Sequence, residues 1–298
     1  MDKFLFSESF VFNELKPFKN FNIAIDTHFN LSDPPPPEHY HDFFEMYYVY
    51  EGECEDTIAG DYFSLSRGNL VIIAPYVSHY LRICGDPKII NIYIRKTTIN
   101  EIFLPFLTGN DFFSDFFLWN SILQHTDTPR TGIIDYIIIN TGDDAQISEE
   151  ITEMFNEQSL NDEYTGHIME NLISVFLFRI IRRYGKSPLL KYKGQNSDKH
   201  RYISYIFKNF RTVTLKQLAK HFSVSIAYCS RQIKALTGKN FYELIQTIRM
   251  PHSRYLLLST DMKIVDISYS LGFENPETFI RNFKKYFGIT PSQFRNSK

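Results

Sequence analysis

The sequence predicts an α+β multidomain fold, with an antiparallel β-barrel and helices in front and an all-α domain at the C-terminus. Three observations predict it. Short β-branched and aromatic runs, punctuated by turn residues, fill residues 39–95, as in an antiparallel sandwich or barrel. Helical periodicity replaces them after Thr141. In the last third, "FSVSIAYCSRQIKALTGKNF" returns 49 or 50 residues later as "LGFENPETFIRNFKKYFGI", so one helical unit occurs twice.

A chain of 298 residues with 43% hydrophobic and 22% charged residues suits about two ordinary globular domains. The longest apolar stretch, Leu172 to Ile181, is interrupted by Arg179 and is too short to span a bilayer. The start "MDKFLFSESF" lacks the pattern of a secretory leader. Cys54, Cys84 and Cys229 are too few and too scattered for a disulfide framework or a structural zinc site. A cytoplasmic chain is expected. Its net charge of -2 conceals a division: residues 199–298 carry 17 Lys and Arg against 5 Asp and Glu. A basic final third on an acidic chain points to a polyanion-binding module joined to a part with another task.

Taken in order, Pro34 to Pro37 predict a stiff polyproline II segment. The runs "FEMYYVY", "DYFSL", "NLVIIAP" and "IINIYIR" read as strands, with turns at Glu51-Gly52, Ala59-Gly60-Asp61 and Arg67-Gly68-Asn69. Helices are expected over 143–158 and 165–184. In the second, Ile168, Leu172, Val175 and Arg179 form one stripe and Met169, Ile173, Phe176 and Ile180 the next. So wide an apolar surface requires cover on two sides. The barrel covers one side, leaving the other for a second subunit; the alternative is a helix sunk in a single core. The expected boundaries are 1–185 for the front domain with its dimerisation helices, 186–198 for a linker and 199–298 for the helical domain.

Each repeat copy reads as helix, tight turn, helix, over about 214–236 and 263–286. Gly272 suits the left-handed turn position, which Ser223 fills in the first copy. Ser225 and Asn275 are candidate caps, and Pro276 fits a first helical turn. Cys229 and Ile233, or Phe279 and Phe283, face inward. The opposite faces present Ala227, Tyr228, Ser230 and Arg231, or Pro276, Glu277, Ile280 and Arg281, as candidate base-reading residues. Arginine bonds bidentately to guanine, and small apolar groups meet the thymine methyl. Lys234, Lys284 and Lys285, with Asn275 and Thr278, are candidate phosphate contacts. A helical bundle with a solvated basic face is the competing reading.

The stretch from Leu215 to Arg295, with "LAKHFSVSIAYCSRQIKALTG", "FYELIQTIR", "IVDISYSLGF" and "FIRNFKKYFGITPSQFR", strongly resembles the DNA-binding domain of AraC/XylS-type transcription regulators. The resemblance implies two helix-turn-helix units joined by a long helix, each reading one of two successive major-groove turns. It also implies a homodimer, contact with RNA polymerase and, more commonly, activation. Pro251 and Ser253 depart from the family pattern, and a bend near Thr247 is expected.

"HYHDFFEMYYVYEG", with the spacing H-x-H-x3-E-x6-G, and "GNLVIIAPYVSH" resemble the cupin-type effector domain of many such regulators. In metal-dependent cupins His39, His41, Glu45 and His79 would supply the ligands. The step from Pro75 to His79 is one residue shorter than usual there, and no metal or cofactor is assigned. His39, His41, Glu45, Tyr47 and His79 are the candidate effector pocket, for a small polar molecule such as a sugar; a structural role stays open. The reading is an effector-controlled, DNA-binding transcription regulator without enzymatic activity. The alternatives are a constitutive dimeric regulator and a metal-dependent cupin enzyme fused to a DNA-binding module.

Overall fold

Two long strands organise the front of the chain. β4 (Phe44–Ile58) and β7 (His79–Ile94) pair antiparallel, with register shifts between Val49 and Glu51 and between Glu51 and Glu53. Glu51-Gly52, expected as a turn, is therefore a bulge inside β4. Gly52 has φ 78, and a Cβ there would lie 2.9 Å from the Pro87 Cα. A bulge lets one strand pair bend and serve two parts of a curved sheet. On one side of the bulge β4 meets β6 (Asn69–Ile73) and β7 meets β2 (Ile23–His28); on the other β4 meets β5 (Asp61–Ser66).

The computed structural model describes residues 8–10, 22–28, 38–103, 112–122, 134–186, 190–193 and 200–296. The run of prolines 34–37 lies outside them. The described strands form one nine-stranded sheet in the order β1 (Glu8–Phe10), β3 (His39–His41), β7, β4, β6, β8 (Tyr136–Asn140) and β9 (Leu190–Lys193), with β2 on β7 and β5 on β4. Every pairing is antiparallel except β1 with β3. Among the described residues the path runs from β1 to β9 without closing on itself, and it is the antiparallel front domain that the sequence predicts. Residues 44–49 are all buried, so this part of β4 is covered on both faces. On the Tyr48 face the hydroxyl lies 3.3 Å from Ser148 Oγ of the helix that begins at Ala145.

After α1 (Lys96–Thr98), a π-helical turn (Ile99–Phe103) and α2 (Phe112–Ile122) come α3 (Ala145–Leu160) and α4 (Thr165–Tyr184). Asp144 caps α3 and also accepts hydrogen bonds from Arg183 and the Tyr184 hydroxyl, both at 2.8 Å, pinning the end of α4 to the start of α3. On α4 the stripe Met169, Ile173, Phe176 and Ile180 is buried, whereas Ile168 and Val175 are 41% and 45% exposed. No described helix is long and apolar enough to cross a membrane.

The chain groups into two units, residues 1–99 with 133–195 and residues 100–132 with 196–298. The second unit contains α2, α5 (His200–Lys208), α6 (Leu215–His221), α7 (Ile226–Thr237), α8 (Phe241–Ser259), α9 (Ile264–Ser270), α10 (Pro276–Phe287) and α11 (Pro291–Asn296). Helix α8 stays helical through the buried Pro251. His252 Nδ1 donates to the Ile248 carbonyl at 2.9 Å, and the buried Ser253 hydroxyl donates to the Met250 carbonyl at 2.6 Å.

Candidate functional site

The two repeats make the same turn with different residues. Between α6 and α7, Val224 N–H donates to Ala219 O at 3.0 Å; between α9 and α10, Phe273 N–H donates to Ser268 O at 3.1 Å. Each closure brackets a left-handed residue, Ser223 at φ 53 and Gly272 at φ 82, as in a Schellman ending. Serine held there costs about 1 kcal/mol. At Gly272 no side chain fits: a Cβ would fall 1.6 Å from Arg211 O.

The helices that follow start as the sequence predicts. Ser225 accepts from Tyr228 N–H, and Asn275 accepts from Glu277 N–H with Pro276 in the first turn. Cys229, Ile233, Phe279 and Phe283 are all fully buried. Ala227, Tyr228, Arg231 and Lys234 on α7 are exposed, as are Glu277, Ile280, Arg281, Lys284 and Lys285 on α10. Ser230, Pro276 and Thr278 are half-buried. The polar atoms of Asn275 are engaged at the helix start, Oδ1 on Glu277 N–H at 2.7 Å and Nδ2 on Glu277 Oε2 at 3.3 Å.

Arg249, which sequence reasoning missed, ties the two readers together. From the middle of α8 it donates to Phe210 O at 3.1 and 2.8 Å and to Arg211 O at 3.2 Å, while its guanidinium lies 5.0 Å from the centre of the Phe273 ring. The loop before the first motif, the connecting helix and the turn of the second motif thus meet at one side chain. Asn282 on α10 adds a hydrogen bond to the Tyr242 hydroxyl on α8 at 2.6 Å.

In the front unit, His39, His41, Glu45 and His79 come together, and all are buried. His39 and His41 share one side of β3, and His39 is the cross-strand partner of His79. Glu45 Oε2 lies 2.8 Å from His41 Nε2 and 3.1 Å from His79 Nε2. The short step from Pro75 does not keep His79 out. Tyr76 takes φ 64 and donates its N–H to His41 O at 2.7 Å, which ties this turn to the end of β3. Burial pushes His41 down; for His79 burial is outweighed by Glu45, and its pKa is raised. Burial alone would raise the Glu45 carboxyl, but hydrogen bonds and charge from His41 and His79 hold it well below the usual range.

Tyr47 points into the same interior, its hydroxyl donating to Asp56 Oδ2 at 2.5 Å. Asp56, Asn91 and Tyr93 were not foreseen. Asp56 and Asn91 are each 1% exposed and each has an oxygen with no hydrogen-bond partner. Burial pushes the Asp56 carboxyl up to about 6. Tyr93 and Asn91 lie opposite Glu45 and Tyr47 on β7. For Asn91 and Tyr93 the available signal was their polar groups within the apolar run "IINIYI" at the end of β7.

The description "AraC-like ligand binding domain" fits residues 31–175, and "Helix-turn-helix domain" fits residues 218–297. The Msm operon regulatory protein of Streptococcus mutans is 31% identical over 113 residues, 36% of this chain and 41% of that protein. The HTH-type transcriptional activator RhaS of Escherichia coli O6:H1 is 21% identical over 286 residues, 95% of both chains. Among solved structures, the C-terminal domain of AraT from Geobacillus stearothermophilus is 36% identical over 34% of this chain and 84% of that one, with TM-score 0.33. Apo ToxT from Vibrio cholerae is 15% identical over 93% of this chain and 97% of that one, with TM-score 0.37. With both parts of its architecture matched, the chain belongs to the AraC-type family of effector-controlled, DNA-binding transcription regulators.

Proposed function

We propose that this regulator acts as a homodimeric transcription activator, with α7 and α10 reading successive major-groove turns of promoter DNA. The observation that carries it is the equivalence of the two turns, which puts Arg231 and Arg281 at corresponding exposed positions after corresponding caps. Ala227, Tyr228, Ser230, Pro276, Glu277 and Ile280 accompany them at base edges, and Lys234, Thr278, Lys284 and Lys285 neutralise phosphates. Activation through RNA polymerase is supported by the activators among the relatives, and a second copy by the exposed Ile168 and Val175 on α4. A small polar effector, a sugar being one class, enters the interior at His39, His41, Glu45, Tyr47 and His79. The front part, expected as residues 1–185, senses and dimerises and residues 199–298 bind DNA, while the stretch 186–198 expected as a linker also supplies β9 to the front sheet; the chain works in the cytoplasm and turns over no substrate.

The test is binding to sites selected from random duplexes. Arg231→Ala and Arg281→Ala should each weaken specific binding by about 1–3 kcal/mol and relax base preference, at positions about one helical turn apart. Lys234→Ala should weaken binding to all sequences and reduce the salt slope by about 1. Unchanged base preference in both arginine variants overturns the assignment.

A further inference from the structure

Within the DNA-binding unit, helix α8 and the recognition helix α10 flank a cavity of about 430 Å3, a size typical of small-molecule sites. Lys239 and Asn240 line it from the end of the first motif, and Asn282, Lys285 and Tyr286 line it from the second. Met250, fully buried, and the exposed rings of Tyr242 and Tyr286 give it apolar surface. The hydrogen bonds of the lining leave donors over. Asn282 Nδ2 donates to the Tyr242 hydroxyl at 2.6 Å and to Gln246 Oε1 at 3.4 Å. The Tyr242 oxygen thus accepts, and its own hydrogen stays available to another partner. Gln246 Nε2 is a second donor, buried and without a partner among the described residues, which is costly until something accepts from it. Lys239 and Lys285 add two ammonium groups, which only donate. Glu243, the acid in the lining, turns its Oε2 to the Asn240 N–H at 2.8 Å.

We propose that this cavity binds a small amphipathic anion, a carboxylate carried on a compact aromatic or apolar body, and that the bound anion opposes DNA binding. The carboxylate accepts from the donor set of Gln246, Tyr242, Lys239 and Lys285, and charge-assisted bonds of this kind are about twice as strong as neutral ones. The body packs against Met250 and the two tyrosine rings, which a bare phosphate leaves uncovered. A cationic guest faces two ammonium groups, and a purely apolar one leaves the Gln246 donor unpaired. Opposition to DNA follows from Lys285, read above as a phosphate contact on α10. An anion paired with that lysine takes one cation from the surface offered to the DNA backbone and sets a negative charge beside the recognition helix. By linkage, DNA weakens the anion by the same factor. This second half rests on the reading of α10 as a groove helix. Binding of the anion is measured without DNA, so the two readings fail separately.

The experiment uses the full chain with isotope-labelled methionine methyl groups, followed by NMR, and three probes on one ring: indolylacetate, indolylacetamide and tryptamine, which are negative, neutral and positive. Met250→Leu assigns the Met250 signal. Indolylacetate should move that signal and bind about tenfold tighter than the acetamide, with tryptamine weakest. Lys239→Met combined with Lys285→Met should abolish the preference for the acetate, and Gln246→Leu should weaken it about tenfold. At saturation, indolylacetate should weaken binding to selected duplexes and lower the salt slope by about 1, and the acetamide should do neither. A Met250 signal that none of the three probes moves overturns the proposal, as does equal binding of acetate and acetamide. A signal moved as strongly by inorganic phosphate as by indolylacetate places a backbone phosphate there instead and also overturns it. Unchanged DNA affinity with the cavity saturated overturns the opposition to DNA. If the variants fail to fold, the charge series on the wild-type chain decides.

Discussion

Substitution of Gly272 by alanine separates two costs that glycine normally hides together. Gly272 and Gly288 both follow helices in the DNA-binding unit and have nearly the same backbone, φ 82 and 81. An added Cβ meets nothing within 4 Å at Gly288, but at Gly272 it falls 1.6 Å from Arg211 O and 2.5 Å from Arg211 C. The left-handed penalty, about 1 kcal/mol, applies to both. Gly272→Ala must also push the Arg211 carbonyl away. Such overpacking costs about 1–3 kcal/mol, and the Arg249 hydrogen bond to that carbonyl, 3.2 Å long, is lost with it, worth about 1 kcal/mol more. Gly288→Ala should therefore destabilise by about 1 kcal/mol and Gly272→Ala by about 3–5 kcal/mol. The assay is urea unfolding followed by the fluorescence of Trp119, the sole tryptophan, which is buried in α2 of the same unit. A gap between the variants under about 0.5 kcal/mol would refute the reasoning, because independent sites reproduce to that margin.

Two buried titrating groups give opposite pH signatures. Asp56 titrates at about 6 in the fold against 3.8 ordinarily, so the unfolded chain releases this proton first and stability falls as pH climbs from about 4 to about 6. Asp56→Asn should add up to about 3 kcal/mol above that window and nothing below it, read by circular dichroism during urea unfolding. His252 is pushed down to about 4 by burial against an ordinary 6.5. Its neutral form is favoured in the fold, so its contribution is complete above 6.5 and is lost as pH falls towards 4. His252→Gln should remove about 3 kcal/mol of that acid dependence from the Trp119 transition; an unchanged acid slope counts against the burial argument.

The helix-turn-helix units were legible because their determinants are local and repeated. Caps, turn residues and buried rings lie within a few positions of one another, and each copy checks its partner. Even the odd serine at 223 was readable as a left-handed residue, as its φ of 53 shows. The front sheet was legible as strands but not as a path. Glu51-Gly52 carries turn chemistry, yet β4 runs on through it with a register shift, and Gly52 lies close against Pro87, 35 residues away. Nothing in "PYVSH" announces that Tyr76 takes a left-handed backbone. Asp56 and Asn91 reach the interior only through the pairing of β4 with β7, and Arg249 gains its role from a loop 38 residues away.

The grouping of residues 100–132 with 196–298 bears on how this protein can be taken apart. The chain passes between its units at 99, at 132 and at 195, so no single cut divides it cleanly. A fragment beginning at 196 lacks α2, and one ending at 195 carries Phe113, Phe116, Phe117 and Trp119, all buried in the whole chain, without the helices they are grouped with. Chimeras that graft this DNA-reading half onto another sensor would have to import a segment from inside the front of the sequence. Swapping the two units between relatives therefore takes two exchanged segments, not one.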